Sequence, residues 1–359
     1  MAVAETTNEN KAIVTIYDLM HDGAKKRKVL SNGDITATEF ISISFSPDSK
    51  YLAAQSSSPD WTLLLWVWEK NKLLTSARTC NPVGANAASV TQVTFSPQDN
   101  TLMAVSGRNV LKMLRYHEGQ LKQQAFHKLE PQAFTQHAWL TDDRLAIGNE
   151  SGQVHLLEGA ELKTTLTLGT EIIGAIAGFS RGFIAGCGGT LHVYELIEGT
   201  WRRAKRQRTV MTSDDTKVAE IITAICVSMS EEQYIAGTDS KQLFCGTLSL
   251  ADLQKSGEQI TTMDYLTGGF HSGAITGLSC AVRKPLVATS SIDRTVRVWN
   301  YQTNQIEFWK DFSEEVFTVS IHPNGHQILA GFGDKLRLLN ILIDDFRIVR
   351  EFPIRGLYL

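Results

Sequence analysis

The chain has 359 residues, 43% of them hydrophobic, with 35 basic and 38 acidic side chains for a net charge of −3. A chain of this size buries roughly three-quarters of its unfolded surface, so a sizeable core is available. The charge balance offers no global attraction to nucleic acid or anionic lipid, and no apolar run approaches the roughly 20 residues that span a bilayer.

The N-terminus, MAVAETTNENK, is polar and lacks the apolar stretch of a secretory signal, so an intracellular, soluble protein is expected, with neither nucleic acid nor membrane as a partner. The five cysteines, Cys80, Cys187, Cys226, Cys245 and Cys280, are scattered and form no CxxC pair. That spacing argues against a metal site or a disulfide framework. Four of them fall in apolar strand-like runs, which predicts small buried hydrophobes. No cofactor is expected.

In chain order, the first strand-like runs are residues 12–19 and 25–30, read as the third and fourth strands of a unit whose first two strands are missing. A four-strand pattern then recurs. Its first copy uses residues 41–45, a Ser46-Pro47-Asp48-Ser49 turn, then 51–55, 62–67 and 73–78. The second uses 90–95, a Ser96-Pro97-Gln98-Asp99 turn, then 101–106, 110–116 and 120–126. The third takes 134–140, 144–148 and 153–157, the fourth 172–179, 182–186 and 190–196, and the fifth 221–229, 233–237 and 242–247. The sixth takes 274–281, 285–290 and 295–299, and the seventh 316–322, 327–331, 335–340 and 346–352. The period is close to 50 residues between Pro47 and Pro97. Four short strands per period of about 40–50 residues mark the blades of a β-propeller.

Alternation of apolar and polar residues in Thr295-Val296-Arg297-Val298-Trp299 fits a half-buried strand. Amphipathic stretches of helical length are absent between the strands, so the class is all-β. The expected organisation is residues 1–30 as an N-terminal tail and outer half-blade, 31–352 as about seven blades, and 353–359 as a tail. The half-blade leaves two arrangements open: it lies against a seven-bladed ring, or the ring is open or eight-bladed. Either way the chain is expected to be part of something longer.

The sixth copy carries Phe270-His271-Ser272-Gly273 and, further on, residues 286–300 with Thr289, Asp293 and Trp299. An Asp in a tight turn accepts backbone N–H groups, and it can orient an imidazole that passes a hydrogen-bond chain to a hydroxyl and an indole N–H. A catalytic His–Asp pair with Thr289 as nucleophile is the alternative; these strand and turn spacings point instead to a structural clamp. This copy closely resembles a WD40 repeat, and the resemblance implies that His271, Thr289, Asp293 and Trp299 form one buried hydrogen-bond chain. The other copies lack the full set, and His137, His155 and His192 sit on strands rather than in the loop that holds His271.

Residues 40–52, 65–70, 95–101, 283–286 and 334–345 together resemble the cilia- and flagella-associated WD-repeat and coiled-coil proteins of motile axonemes. This resemblance runs over nearly the whole chain. It implies a non-catalytic scaffold near the base of inner dynein arms on doublet microtubules, with axonemal dynein and doublet components as protein partners. The family's coiled coil does not occur in this sequence.

Two basic clusters stand out. One is Lys25-Lys26-Arg27-Lys28; the other, Arg202, Arg203, Lys205, Arg206 and Arg208, follows Trp201 on what reads as an outer strand. Each is either a patch for an acidic partner such as tubulin tails, or, less favoured without interleaved aromatics, for nucleic acid, or else a solvated outer strand whose charges blunt an edge. Residues 209–220 and 249–257 read as long connectors. Gly186-Cys187-Gly188-Gly189 is a turn between strands and not a phosphate loop, since no helix follows. The rival functions are a WD40 adaptor in a ubiquitin ligase or vesicle coat, and a propeller enzyme using a central channel.

Overall fold

The computed structural model describes residues 1–20, 25–31, 35–80, 88–124, 129–159, 161–209, 220–248, 260–266, 269–343 and 345–354. The connectors expected at 209–220 and 249–257, and the end of the tail, lie almost wholly outside the described residues. Eight sheets are formed among those that are described. Sheet 1 is β1 (Ala2–Thr6), β2 (Ala12–Asp18) and β3 (Lys25–Ser31). Sheet 2 is β4 (Phe40–Phe45), β5 (Tyr51–Ser56), β6 (Thr62–Val67) and β7 (Lys72–Arg78), and sheet 3 is β8 (Ser89–Phe95), β9 (Leu102–Arg108), β10 (Val110–His117) and β11 (Gln120–Gln124). Sheet 4 is β12 (Phe134–Trp139), β13 (Arg144–Asn149), β14 (Gln153–Glu158) and β15 (Glu161–Thr167).

Sheet 5 is β16 (Ile173–Phe179), β17 (Gly182–Cys187), β18 (Thr190–Ile197), β19 (Thr200–Arg208) and a short β23 (Ile260–Thr262). Sheet 6 is β20 (Ile222–Val227), β21 (Gln233–Thr238), β22 (Leu243–Thr247) and β24 (Asp264–Tyr265). Sheet 7 is β25 (Ile275–Cys280), β26 (Leu286–Ser291), β27 (Thr295–Asn300) and β28 (Gln305–Asp311), and sheet 8 is β29 (Thr318–Ile321), β30 (Gln327–Gly331), β31 (Lys335–Ile341) and β32 (Phe346–Pro353). The chain divides into two compact units, Met1–Ala236 with Gly246–Thr262, and Gly237–Cys245 with Met263–Leu359.

Two sequence expectations need correcting. Residues 12–30 are preceded by a strand: β1 pairs antiparallel with β2 from Ala2↔Ile16 to Thr6↔Ala12, so sheet 1 has three strands. Its polar composition hid it. The hairpin is held by Asn10, which takes a positive φ of 58°, and by the Tyr17 hydroxyl donating to Glu5 Oε1 at 2.8 Å. The cysteines also divide. Cys80 and Cys187 are buried, but Cys226 and Cys280 are exposed and Cys245 is intermediate, because a strand buries only alternate side chains.

The core is a series of sheet-to-sheet contacts. In the first unit, Val14 and Leu30 of sheet 1 pack with Leu52, Leu64 and Trp66 of sheet 2, while Leu63 and Leu65 on the opposite face meet Val93, Met103 and Val105 of sheet 3. Leu102 and Met113 of sheet 3 then meet Leu145 and Ile147 of sheet 4. Val154 and Leu156 meet Ile173, Phe183 and Ala185 of sheet 5. In the second unit Ala288, Val296 and Val298 of sheet 7 pack with Ile328, Leu339 and Phe346 of sheet 8. Each buried Leu, Ile, Val or Phe contributes about 1.5–3 kcal/mol relative to exposure.

Polar bonds knit the same neighbours. The first strands of sheets 2, 3, 5 and 7 slip register within their first two residues, at Phe40/Ser42, Val90/Gln92, Ile173/Ala175 and Ile275/Gly277, and that of sheet 4 slips between Phe134 and His137. A bulge of this kind leaves a residue outside the ladder. Thr91 and Thr276, at the slipped positions, donate their hydroxyls to the next sheet's first-strand region, at Thr135 O (3.0 Å) and Val316 O (2.6 Å). Thr135 does the same to Ile173 O. At the turns after the first strands, Ser96 Oγ donates to Asp143 Oδ1 (2.8 Å) and Ser180 N–H to Glu231 Oε1 (2.8 Å).

A buried relay links sheets 3 and 4. His137, 1% exposed, sits between Ser106 Oγ (2.6 Å from Nδ1) and Thr94 Oγ1 (2.7 Å from Nε2), and Trp139 Nε1–H donates to the same Thr94 oxygen at 2.9 Å. Burial penalises the charged ring and lowers the pKa of His137 from 6.5 to about 3. Because the folded value lies below the unfolded one, this stability is complete above pH 6.5 and drains away as pH falls toward about 3. His192, lowered to about 3 by burial and then by Arg206 and Arg203, acts in the same direction.

Two outcomes are expected. Chemical unfolding measured from pH 7 to pH 4 should show stability falling with acid, and His137→Gln should remove roughly one proton from that slope; an unchanged slope would contradict the buried neutral ring. Gly178, whose added methyl would strike the carbonyl oxygen of Trp139 on the neighbouring sheet, should lose about 1–3 kcal/mol as Gly178→Ala. Gly119→Ala should lose only about 1 kcal/mol, since that site has open space and strain from φ +81° alone.

Candidate functional site

The turn between β26 and β27 is Ser291-Ile292-Asp293-Arg294, closed by Arg294 N–H donating to Ser291 O at 3.2 Å, with Arg294 at φ 68°. Ser291 Oγ accepts from Asp293 N–H (3.1 Å), which points the Asp293 carboxylate inward. One of its oxygens accepts from Thr295 N–H (2.9 Å) and Thr295 Oγ1 (2.7 Å). The other lies 3.0 Å from His271 Nδ1 and accepts from Ser272 N–H at 2.9 Å. His271 Nε2 is 2.8 Å from Thr289 Oγ1, and Trp299 Nε1–H donates to that same oxygen at 2.8 Å. His271, Thr289, Asp293 and Trp299 therefore touch in one chain.

Chemistry fixes the direction of that chain. A carboxylate only accepts, so in the neutral ring Nδ1 carries the proton and Nε2 takes one from Thr289, whose oxygen in turn accepts from the indole. Burial pushes the Asp293 carboxyl up, but hydrogen bonds from His271 and Thr295 outweigh it and hold the group well below the usual carboxylate range. The side chains of His271 and Asp293 are 4% and 5% exposed, and Thr289 is buried. Below them Arg297, lying over Trp309 at 5.7 Å from the ring centroid, donates Nε–H to Thr295 Oγ1 (3.3 Å) and bonds Gly269 O. The polar atoms are spent on one another, and a nucleophile at Thr289 has no open face toward a substrate.

Partial versions of this latch occur in sheets that lack the full set of His, Thr, Asp and Trp. Asp60, in the turn before β6, accepts from Ala37 N–H (2.8 Å) and Thr36 N–H (2.6 Å) in the stretch ahead of β4. Asn149, the last residue of β13, accepts from Ser151 and Gln153 N–H and donates Nδ2–H to Gln132 Oε1 (2.9 Å), ahead of β12. Gln132 also reaches His155 Nε2 at 2.8 Å. The His137 relay copies the His–hydroxyl–Trp part of the chain between two sheets. Sequence spacing missed it because its hydroxyls, Thr94 and Ser106, come from the preceding repeat.

The basic residues of β19 do not share one surface. Arg202, Arg203 and Arg208 are exposed, but Lys205 is buried and donates Nζ–H to Thr247 O at 3.0 Å, so it drops out of the candidate patch. A register slip opposite Val193 and Tyr194 turns Lys205 inward. Arg206 is half-buried and pairs in register with His192. Nor is β19 an outermost strand throughout, since β23 runs parallel to it from Arg206↔Ile260 to Arg208↔Thr262. In the other cluster only Lys25 and Lys28 have described side chains; Lys25 is exposed and Lys28 half-buried. Among the described residues no group of three or more His, Cys, Asp or Glu side chains is placed to hold a metal ion.

Comparison with known proteins fits this geometry. The family model for the WD domain, G-beta repeat, matches residues 31–67 and 258–300, the second stretch containing the His271–Trp299 chain. The chain is 36% identical over 99% of its length to cilia- and flagella-associated protein 57 of Mus musculus, and 30% identical over 92% to cilia- and flagella-associated protein 57 A of Tetrahymena thermophila. It spans 32% and 26% of those two relatives. A solved structure of U3-55K matches with a TM-score of 0.50 at 17% identity, covering 85% of this chain and 91% of that one, a likeness of fold. The chain carries WD40 repeats in a fold consistent with a WD40 β-propeller, and over nearly its whole length it is similar to the cilia- and flagella-associated protein 57 relatives.

Proposed function

We propose that this chain is a non-catalytic protein-interaction scaffold of the motile cilium or flagellum, acting where inner dynein arms attach to doublet microtubules. The observation that carries this reading is similarity across nearly the full chain, and not just across generic repeats, to relatives named for cilia and flagella. Its partners are then axonemal dynein and doublet components, and its place is the axonemal cytoskeleton. The site chemistry agrees: the His271–Asp293–Thr289 constellation, which resembles catalytic machinery, is closed on itself. In this reading His271, Thr289, Asp293 and Trp299 are a structural clamp that fixes the loop before β25 to its own sheet.

Proximity labelling from this chain in ciliated cells should enrich axonemal dynein and doublet proteins; recovery of ubiquitin-ligase or coat subunits in their place would overturn the assignment. The clamp has its own test. Thr289→Val leaves the Trp299 indole N–H and the His271 ring nitrogen without their partner, and should cost about 1–3 kcal/mol in chemical unfolding. Loss of stability below 0.5 kcal/mol, about the size of an ordinary surface substitution, would argue against a clamp.

A further inference from the structure

Beside β19 the first unit carries a cleft of about 890 Å³, a size within the range of ligand-binding pockets. Its walls are the turn between β12 and β13, the turn between β16 and β17, and the hairpin joining β18 to β19. Strand connectivity puts these at one end of sheets 4 and 5, opposite the end where Asn149 forms its latch. The hairpin supplies an apolar wall of Leu196, Ile197 and Trp201, with Leu196↔Trp201 paired across it and Ile197 41% exposed. Trp201 is anchored from behind by Phe183, 5.4 Å between ring centroids, so the indole is held in place before any ligand arrives.

The charges in the cleft are unbalanced. Four arginines line it against two carboxylates, a local excess of two positive charges on a chain whose net charge is −3. The carboxylates are already engaged: Asp142 lies 3.6 Å from Arg144, and Glu195 lies 3.3 Å from Arg181. Arg181 is further committed through a hydrogen bond to Leu248 O at 2.9 Å. The excess therefore resides on Arg202 and Arg203, both exposed at the rim next to the anchored tryptophan, with Arg203 steadied by a hydrogen bond to Tyr194. Guanidinium groups bind carboxylates bidentately, and a neighbouring aromatic and aliphatic wall takes the apolar side chains between them.

We propose that this cleft is a docking groove for an acidic peptide segment of a protein partner, its carboxylates on Arg202 and Arg203 and an apolar side chain against Trp201 and Ile197. This rests on the scaffold reading above and names the chemistry of one partner. A single aromatic with aliphatic neighbours suits a peptide; successive bases of a nucleic acid stack on a series of aromatic platforms, which this groove does not offer among the described residues.

The test is direct binding in vitro, which stands or falls independently of where the protein resides in the cell. The purified chain is titrated with a fluorescein-labelled peptide of alternating glutamate and leucine, with an oligothymidine of matched charge as the competing class. The wild-type chain should bind the peptide, and Arg202→Glu with Arg203→Glu should weaken it about tenfold or more. A charge-matched control, Lys122→Glu with Arg347→Glu, should change it less than about twofold, and thermal unfolding should show both variants folded. No peptide binding, an equal loss in the control, or tighter binding of the oligothymidine would each overturn the groove while leaving the ciliary assignment to its own experiment.

Discussion

The fold depends on burial of apolar side chains between the faces of successive sheets. A four-stranded antiparallel sheet on its own would leave both faces of its middle strands exposed, and β6 and β17 are apolar on both. Leu64 and Trp66 of β6 face one neighbour while Leu63 and Leu65 face the other, so sheet 2 is stable because sheets 1 and 3 cover it. Alanine and glycine in the second strands, as in Leu52-Ala53-Ala54 and Ile184-Ala185-Gly186, leave room for that approach. Threonine hydroxyls at the bulges and the Ser96–Asp143 and Ser180–Glu231 bonds then fix how neighbouring sheets are seated.

Much of this was legible in the sequence. Short strands at a steady period, turns rich in Ser, Pro and Asp, and alternation within strands placed the first three strands of sheets 2 to 8, because each signal is local to a few residues; the last strands of sheets 4, 6 and 7 were not placed. His271, Thr289, Asp293 and Trp299 were legible for the same reason: they lie within one repeat, at fixed offsets set by a tight turn and two paired strands. Strand β1 was not, since Ala2–Thr6 has little apolar character and gains its place from pairing with Ala12–Asp18.

Features built between repeats were hidden as well. The role of His137 depends on Thr94 and Ser106 of the sheet before it, which no offset within a single repeat predicts. Lys205 reads as one more charge in a basic run, and a single register slip decides that it points inward to Thr247. The cleft beside Trp201 is assembled from three turns more than 60 residues apart in total span, 140 to 204, and only their convergence gives Arg202 and Arg203 an apolar neighbour and a hollow.

The latches formed by Asp60 and Asp293 bear on how such a chain reaches its native state. Each joins a turn to the stretch before the first strand of its own sheet, across 23 residues for Asp60 and Ala37 and 21 for Asp293 and Ser272. Closing loops of this length costs little more entropy than closing ones half as long. The sheets are thus rich in short-range contacts even though the whole chain is long, and a low contact order within each favours rapid acquisition of structure sheet by sheet. Docking of apolar faces, from sheet 1 to sheet 5 in the first unit and between sheets 7 and 8 in the second, follows as a nearest-neighbour step, which lets each unit gather cooperativity progressively.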